Sequence, residues 1–233
     1  MTQDFSKYSR TYDKVLNDSL GVARGLDKDF FDLVKVSYIE RMYGKNSAPL
    51  RILDYGCGGG SITALMAGLY GDAQVDGYDV SEEMIAANRA KYSSLRNLSF
   101  IRSLEAADHY DLVTVTNVIH HVDQTKRESA LQRIRSVMGS SARACFFEHN
   151  PVNPFTRWIV NRCEFDVGVR LVWPSELRRL AAKAALDVVS CSYILHFPFK
   201  GEMFRIMERA LGRIPAGAQY FMVMAKSRVE EGV

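Results

Sequence analysis

Between residues 51 and 61 the chain reads Arg51-Ile52-Leu53-Asp54-Tyr55-Gly56-Cys57-Gly58-Gly59-Gly60-Ser61, an apolar run that passes directly into a glycine-rich turn. Glycines at 56, 58 and 60 allow positive φ and let a ligand approach the backbone closely, so the free N–H groups of such a turn suit a nucleoside-bearing cofactor. The spacing is G-x-G-x-G; in the dinucleotide fingerprint G-x-G-x-x-G the third glycine falls where Ser61 stands, which makes NAD the weaker reading. Two acids flank the turn. Asp54 precedes it, and Asp79 ends the next apolar run, 74–79, about where a parallel sheet presents a carboxylate to a ribose. Two further clusters could move a proton. Asn117, His120 and His121 follow the run 111–117, and Glu148, His149, Asn150 and Asn153 follow the run 143–148, with Arg157 and Arg162 beyond them. A histidine titrates near neutrality and can accept a proton from a hydroxyl or an amine. Equally, these histidines can be structural, and Asn150 can tie its loop through Asx-type backbone bonds.

Other chemistry finds little support. No pair has the C-x-x-C or H-x-x-x-H spacing usual for zinc, so no metal centre is expected. There is no G-x-S-x-G elbow, and Cys57 sits within the glycine turn itself.

Elements that alternate between strand and helix must carry these residues. Ile62, Leu65, Met66 and Leu69 mark one face of a helix after the glycine turn, and Ser81 with Glu82 and Glu83 caps another. Strands are expected at 51–55, 74–79, 98–101, 111–117, 143–148, 188–195 and 219–225, the fifth entered through a turn at Gly139-Ser140-Ser141. Helices are expected at 27–43, 125–138, 175–185 and 202–211. Pro151 and Pro154 discourage an immediate helix after the fifth strand, so 149–173 reads as an insertion above the strand ends. This rhythm specifies an α/β fold with a parallel sheet and helices on both faces.

Composition sets the outer limits. A chain of 233 residues is read as one domain, and 30 basic against 27 acidic residues give +3, far from the clustered excess of a dedicated nucleic-acid binder. Four scattered cysteines, a polar start and the absence of an apolar run long enough to span a bilayer point to a cytoplasmic protein.

Leu53 to Gly60, together with Asp79 and the 117–123 loop, resembles the class I S-adenosylmethionine (AdoMet) dependent methyltransferases, in particular a bacterial small-molecule branch. The resemblance implies a Rossmann-like seven-stranded sheet of order 3-2-1-4-5-7-6, the last strand antiparallel beside the fifth. It divides the single domain, 1–233, into a helical lid (1–48), a cofactor-binding core (49–148), an insertion forming the substrate wall (149–173) and the C-terminal part of the sheet (174–233). It implies AdoMet, released as S-adenosylhomocysteine, held by Asp54, Gly56, Cys57, Gly58, Gly60, Asp79, Val80, Met84, Ser103, Leu104 and Asn117. By the same resemblance His120, His121, Glu148 and His149 are candidates for catalysis, and Tyr8 and Tyr12 for a lid over a substrate that Asn150, Asn153, Arg157 and Arg162 would meet. The implied acceptor is a small molecule methylated on oxygen or nitrogen, such as a biosynthetic intermediate, a sugar or a lipid-linked compound; peripheral membrane contact stays open, and oligomeric state is not indicated. The alternatives are a scaffold that keeps the fold without turnover and a methyltransferase of protein or nucleic acid.

Overall fold

The computed structural model describes residues 28–43, 51–105, 109–166, 168–197 and 201–227, together with Thr11, Lys14, Val15 and Asp18. Tyr8 and Tyr12, and with them most of the expected lid, lie outside the described residues.

In chain order the elements are α1 (Lys28–Tyr43), β1 (Arg51–Tyr55), α2 (Ser61–Leu69), β2 (Gln74–Tyr78), α3 (Glu82–Lys91), β3 (Leu98–Ile101), β4 (Tyr110–Thr116), α4 (Arg127–Val137), β5 (Met138–His149), α5 (Pro154–Val160), α6 (Pro174–Lys183), β6 (Leu186–Ile194), α7 (Glu202–Ala210) and β7 (Gln219–Lys226). Two single 3₁₀ turns, Ile119–His121 and Gln124–Lys126, separate β4 from α4. The strands form one sheet of order β3-β2-β1-β4-β5-β7-β6. Strands β1 to β5 pair in parallel, while β7 lies antiparallel between β5 and β6.

Alternation along the strands builds two cores, one on each face. Leu53, Val113, Phe146 and Met222 point to the face covered by Leu131 and Ile134 of α4 and Leu177 of α6. Their neighbours Ile52, Leu112, Phe147 and Phe221 point to the other, covered by Ile39 of α1 and Met66 of α2. Strand residues buried on both faces are what a parallel sheet sandwiched by helices requires.

Two local expectations change. Gly139-Ser140-Ser141 is no turn: β5 begins at Met138, opposite Tyr110, and its pairing with β4 resumes at Arg143 opposite Leu112, so the small polar residues fill an irregularity within the strand. Pro154 does not exclude a helix but starts one. It occupies the first turn of α5, where its missing N–H costs nothing, and the Asn153 side chain caps that turn by accepting from Thr156 N–H.

A backbone contact behind β7 sets a first prediction. A Cβ on Gly217 would stand 2.4 Å from the carbonyl oxygen of Ile194 and 2.8 Å from its nitrogen, atoms that move only with β6 itself. Gly217→Ala is expected to lower stability by about 3 kcal/mol, seen as a lower urea midpoint with the same slope. An unchanged midpoint would mean that β6 yields at this point.

Candidate active site

At the carboxyl end of β1 the glycine turn is fixed by backbone conformation and by two strands. Gly56, Gly58 and Gly60 have φ of 76°, 48° and 74°, the left-handed region that glycine enters without strain. The N–H groups of Gly56 and Cys57 both donate to the Tyr78 carbonyl, at 2.7 and 2.9 Å. The turn also packs sideways, since a Cβ on Gly56 would stand 2.6 Å from Val118 of the loop after β4.

Asp79 braces the turn from the end of β2. One carboxylate oxygen accepts from Gly58 N–H at 3.0 Å and the other from Ser81 N–H at 2.9 Å. Burial raises its carboxyl above the ordinary range, against the pull of these backbone hydrogen bonds. Asn88 of α3, which the sequence reading did not single out, donates to the Gly58 carbonyl at 2.7 Å.

Asp54 lies beneath the turn, buried, accepting from Thr63 Oγ1 at 2.7 Å and Thr114 Oγ1 at 2.9 Å. Burial raises its carboxyl from the ordinary 3.8 to about 6; the two threonine hydroxyls pull it down, and the nearby charges of Asp32 and Asp79 push it up. The folded chain therefore holds this proton more tightly than the unfolded chain does, so this group's contribution to stability is greatest below about pH 4 and falls as pH rises through 6. Asp54→Asn is expected to flatten that loss and to raise the unfolding midpoint at pH 8, by up to ~3 kcal/mol, while sparing stability at pH 4. A lower midpoint for the variant at pH 8 would show that the threonine bonds to a charged acceptor outweigh desolvation.

The turn opens onto a cavity of about 550 Å³. Asp54, Gly56, Cys57, Gly58, Asp79, Val80, Met84 and Asn117 line it, Val80 being 73% exposed. Gly60 starts α2 behind them. Ser103 and Leu104 do not line it: Ser103 is exposed, and Leu104 packs against the core on the α4 side of the sheet.

The far half of the cavity holds the histidines. His121, His149 and Asp166 line it, whereas His120 and Glu148 stand just behind. Glu148 is fully buried; its Oε1 accepts from Ile119 N–H at 2.7 Å and its Oε2 meets His120 Nδ1 at 2.6 Å. Burial opposes a charge on His120, yet the carboxylates of Glu148 and Asp166 prevail and lift its pKa to about 9. Burial and the charge of His120 lower His121 to about 3 and His149 to about 4, which leaves both rings neutral. Glu148 is thus a buried anchor for His120 and no part of the cavity wall.

The insertion contributes differently from the sequence expectation. Arg157 and Arg162 do not line the cavity; Arg157, on α5, is exposed, and Arg162, in the turn after it, lies over the Trp158 ring at 4.1 Å. Arg170 pairs with Glu176. Asn150 is buried and fully engaged, donating to the carbonyls of Pro215 and Gly217 and accepting from Val152 N–H, so it ties loops together away from the cavity. Asn153 does reach the wall, beside Phe155, Ile159 and Phe165.

Cations enter instead from α1. Lys28, Asp32 and Lys35 are buried, line the cavity and recur at i, i+4 and i+7, one face of the helix. Asp32 pairs with Lys28 at 3.1 Å and Lys35 at 3.8 Å and accepts from Ser61 Oγ at 2.6 Å. Burial lowers the Lys35 pKa.

Two orphaned polar atoms fit a bound nucleoside cofactor: Thr116 Oγ1 and Gln219 Oε1 are buried without a hydrogen-bond partner among the described residues, both on residues of the cavity wall.

The sheet order and the glycine turn define a class I AdoMet-dependent methyltransferase fold. Residues 52–140 match the family profile described as "Methyltransferase domain". The ubiquinone biosynthesis O-methyltransferase of Candida albicans mitochondria is 32% identical over 101 residues, 39% of this chain and 31% of that protein. That of Rhizobium rhizogenes is 26% identical over 200 residues, 73% of this chain and 77% of that one. The magnesium protoporphyrin IX methyltransferase of Synechocystis, solved with S-adenosylhomocysteine bound, superposes with a TM-score of 0.63 at 14% identity, covering 96% of this chain and all of the other, which shows a shared fold. The chain spans a third to a half of the length of the first curated relatives it matches. Among the described residues no helix is long and apolar enough to cross a membrane.

Proposed function

We propose that this chain transfers a methyl group from AdoMet to the oxygen of a small apolar or amphiphilic acceptor, in the cytoplasm of a bacterial cell. The observation that carries this reading is one continuous cavity, with the glycine turn and Asp79 at one end and neutral His121 and His149 at the other. AdoMet, when bound, supplies an electrophilic sulfonium methyl, so positioning is the larger part of what a protein must add.

In this reading Asp79 accepts hydrogen bonds from the ribose hydroxyls, and the turn from Gly56 to Gly60 receives the methionine portion. Lys28 and Lys35 offer positive charge to its carboxylate. His149, uncharged and on the wall, takes the acceptor's hydroxyl proton. Phe155, Ile159, Phe165 and Phe197 surround the acceptor with apolar surface and exclude water. Relatives named as O-methyltransferases of ubiquinone biosynthesis and of malonyl-[acyl-carrier protein] support oxygen as the acceptor atom. Calorimetry tests the cofactor end: S-adenosylhomocysteine is expected to bind at micromolar concentration and NAD is not. Binding of NAD alone would defeat the proposal. Labelled AdoMet with metabolite extracts then identifies the acceptor.

A further inference from the structure

We propose that His120, His121 and Asp166 form a site for one divalent transition-metal ion whose open coordination positions face the acceptor half of the cavity. Nε2 of His120 and Nε2 of His121 each lie 3.3 Å from the same atom, Asp166 Oδ1. That is long for an N–H···O bond, which centres near about 2.9 Å. It matches the roughly 3.0–3.4 Å that separates neighbouring donors held around one ion at zinc-type bond lengths. The donor atoms of all three residues lie within 4.8 Å of one another, close enough to address a single ion.

The arrangement behind His120 strengthens the case. Its other nitrogen faces Glu148 Oε2 at 2.6 Å, and Glu148 is itself held by Ile119 N–H at 2.7 Å. Ligating histidines characteristically give their second N–H to a fixed carboxylate, which sets the tautomer and aims the free nitrogen at the metal. Two imidazoles and one carboxylate favour Zn²⁺, Co²⁺, Ni²⁺ or Fe²⁺ over Mg²⁺ or Ca²⁺, which take oxygen ligands. Three protein donors leave positions open. Since His121 and Asp166 line the cavity, those positions face it, and an acceptor oxygen can complete the shell. That last step rests on the reading of this half of the cavity as the acceptor's. No sequence spacing betrays the site, because Asp166 follows the adjacent histidines only after two helices and a strand.

The test uses the whole chain, stripped with a chelator and titrated with Co²⁺, followed by calorimetry and by visible absorption. One equivalent is expected to bind, with an absorption band that reports imidazole and carboxylate ligands. Asp166→Asn and His121→Ala are each expected to weaken binding roughly 100-fold or more, and Glu148→Gln, which would not touch the ion, roughly 10- to 100-fold. Circular dichroism and S-adenosylhomocysteine affinity, measured on each variant, identify those that remain folded. A wild-type chain that binds S-adenosylhomocysteine and takes up no Co²⁺ overturns the metal site while the methyltransferase reading stands. Unchanged Co²⁺ affinity in folded Asp166→Asn and His121→Ala also overturns it, by locating the ion elsewhere. Uptake with the expected losses, in a chain that binds no S-adenosylhomocysteine, upholds the site and removes the methyltransferase reading instead.

Discussion

Glu148→Ala is expected to destabilise the fold by about 3–5 kcal/mol, the cost of removing one member of a buried charged pair. The side chain is fully buried and satisfies two groups at once, the Ile119 N–H and the His120 ring. Alanine would leave that N–H without an acceptor and the His120 ring facing an empty volume. Each loss is larger in the interior than at the surface, because no water replaces the missing partner. Glu148→Gln separates charge from shape: its amide can still accept from Ile119 and face His120, so it should lose much less. Urea unfolding of both variants at constant slope measures the difference. Near-equal losses would show that packing volume, and not the carboxylate, is what the position supplies.

The second large effect is on affinity. Asp79→Ala should weaken S-adenosylhomocysteine binding by ~2–4 kcal/mol, or roughly 30- to 1,000-fold, through loss of two charge-assisted hydrogen bonds to the ribose. The same change frees Gly58 N–H and Ser81 N–H, so part of the loss would come from a looser glycine turn. Asp79→Asn distinguishes the two contributions, since its single acceptor can brace Gly58 while the charge is gone. Calorimetry on folded variants decides, and wild-type affinity in Asp79→Ala would remove the residue from the cofactor site.

The sheet was legible in the sequence because its central strands repeat apolar residues on both faces, as at Ile52-Leu53 and Phe146-Phe147, and because glycine follows β1 and an acid follows β2. Its order, however, was read from the family resemblance; periodicity alone does not report which strands are neighbours. Errors fell where a local signal had two meanings. Gly139-Ser140-Ser141 spells a turn in isolation and a strand irregularity beside β4, and Pro154 ends helices or begins them according to what precedes it. Around the cavity, the sequence points to residues clustered along the chain and is silent on those brought to the wall only by folding. Arg157 and Arg162 stand in the right segment but on its outer side. Asp166 received no role because its partners are brought to it by the folding of α5 and the turn that follows. In α1, expected only as a helix over 27–43, Lys28, Asp32 and Lys35 recur at helical spacing on one face, a pattern the sequence itself displays.

Strand β6 is hydrogen-bonded within the sheet only to β7, and β7 separates it from β5. A ribosome therefore delivers β6 before its one neighbour exists, with all of 195–218 still to be made. Until Gln219 to Lys226 emerge, the growing chain has β1, β2 and β4 but lacks Gln219, which donates to Asn117 of the cavity wall at 3.3 Å, and the strand against which β5 presents His149. The cavity is thus complete only once the last strand of the chain has joined the sheet.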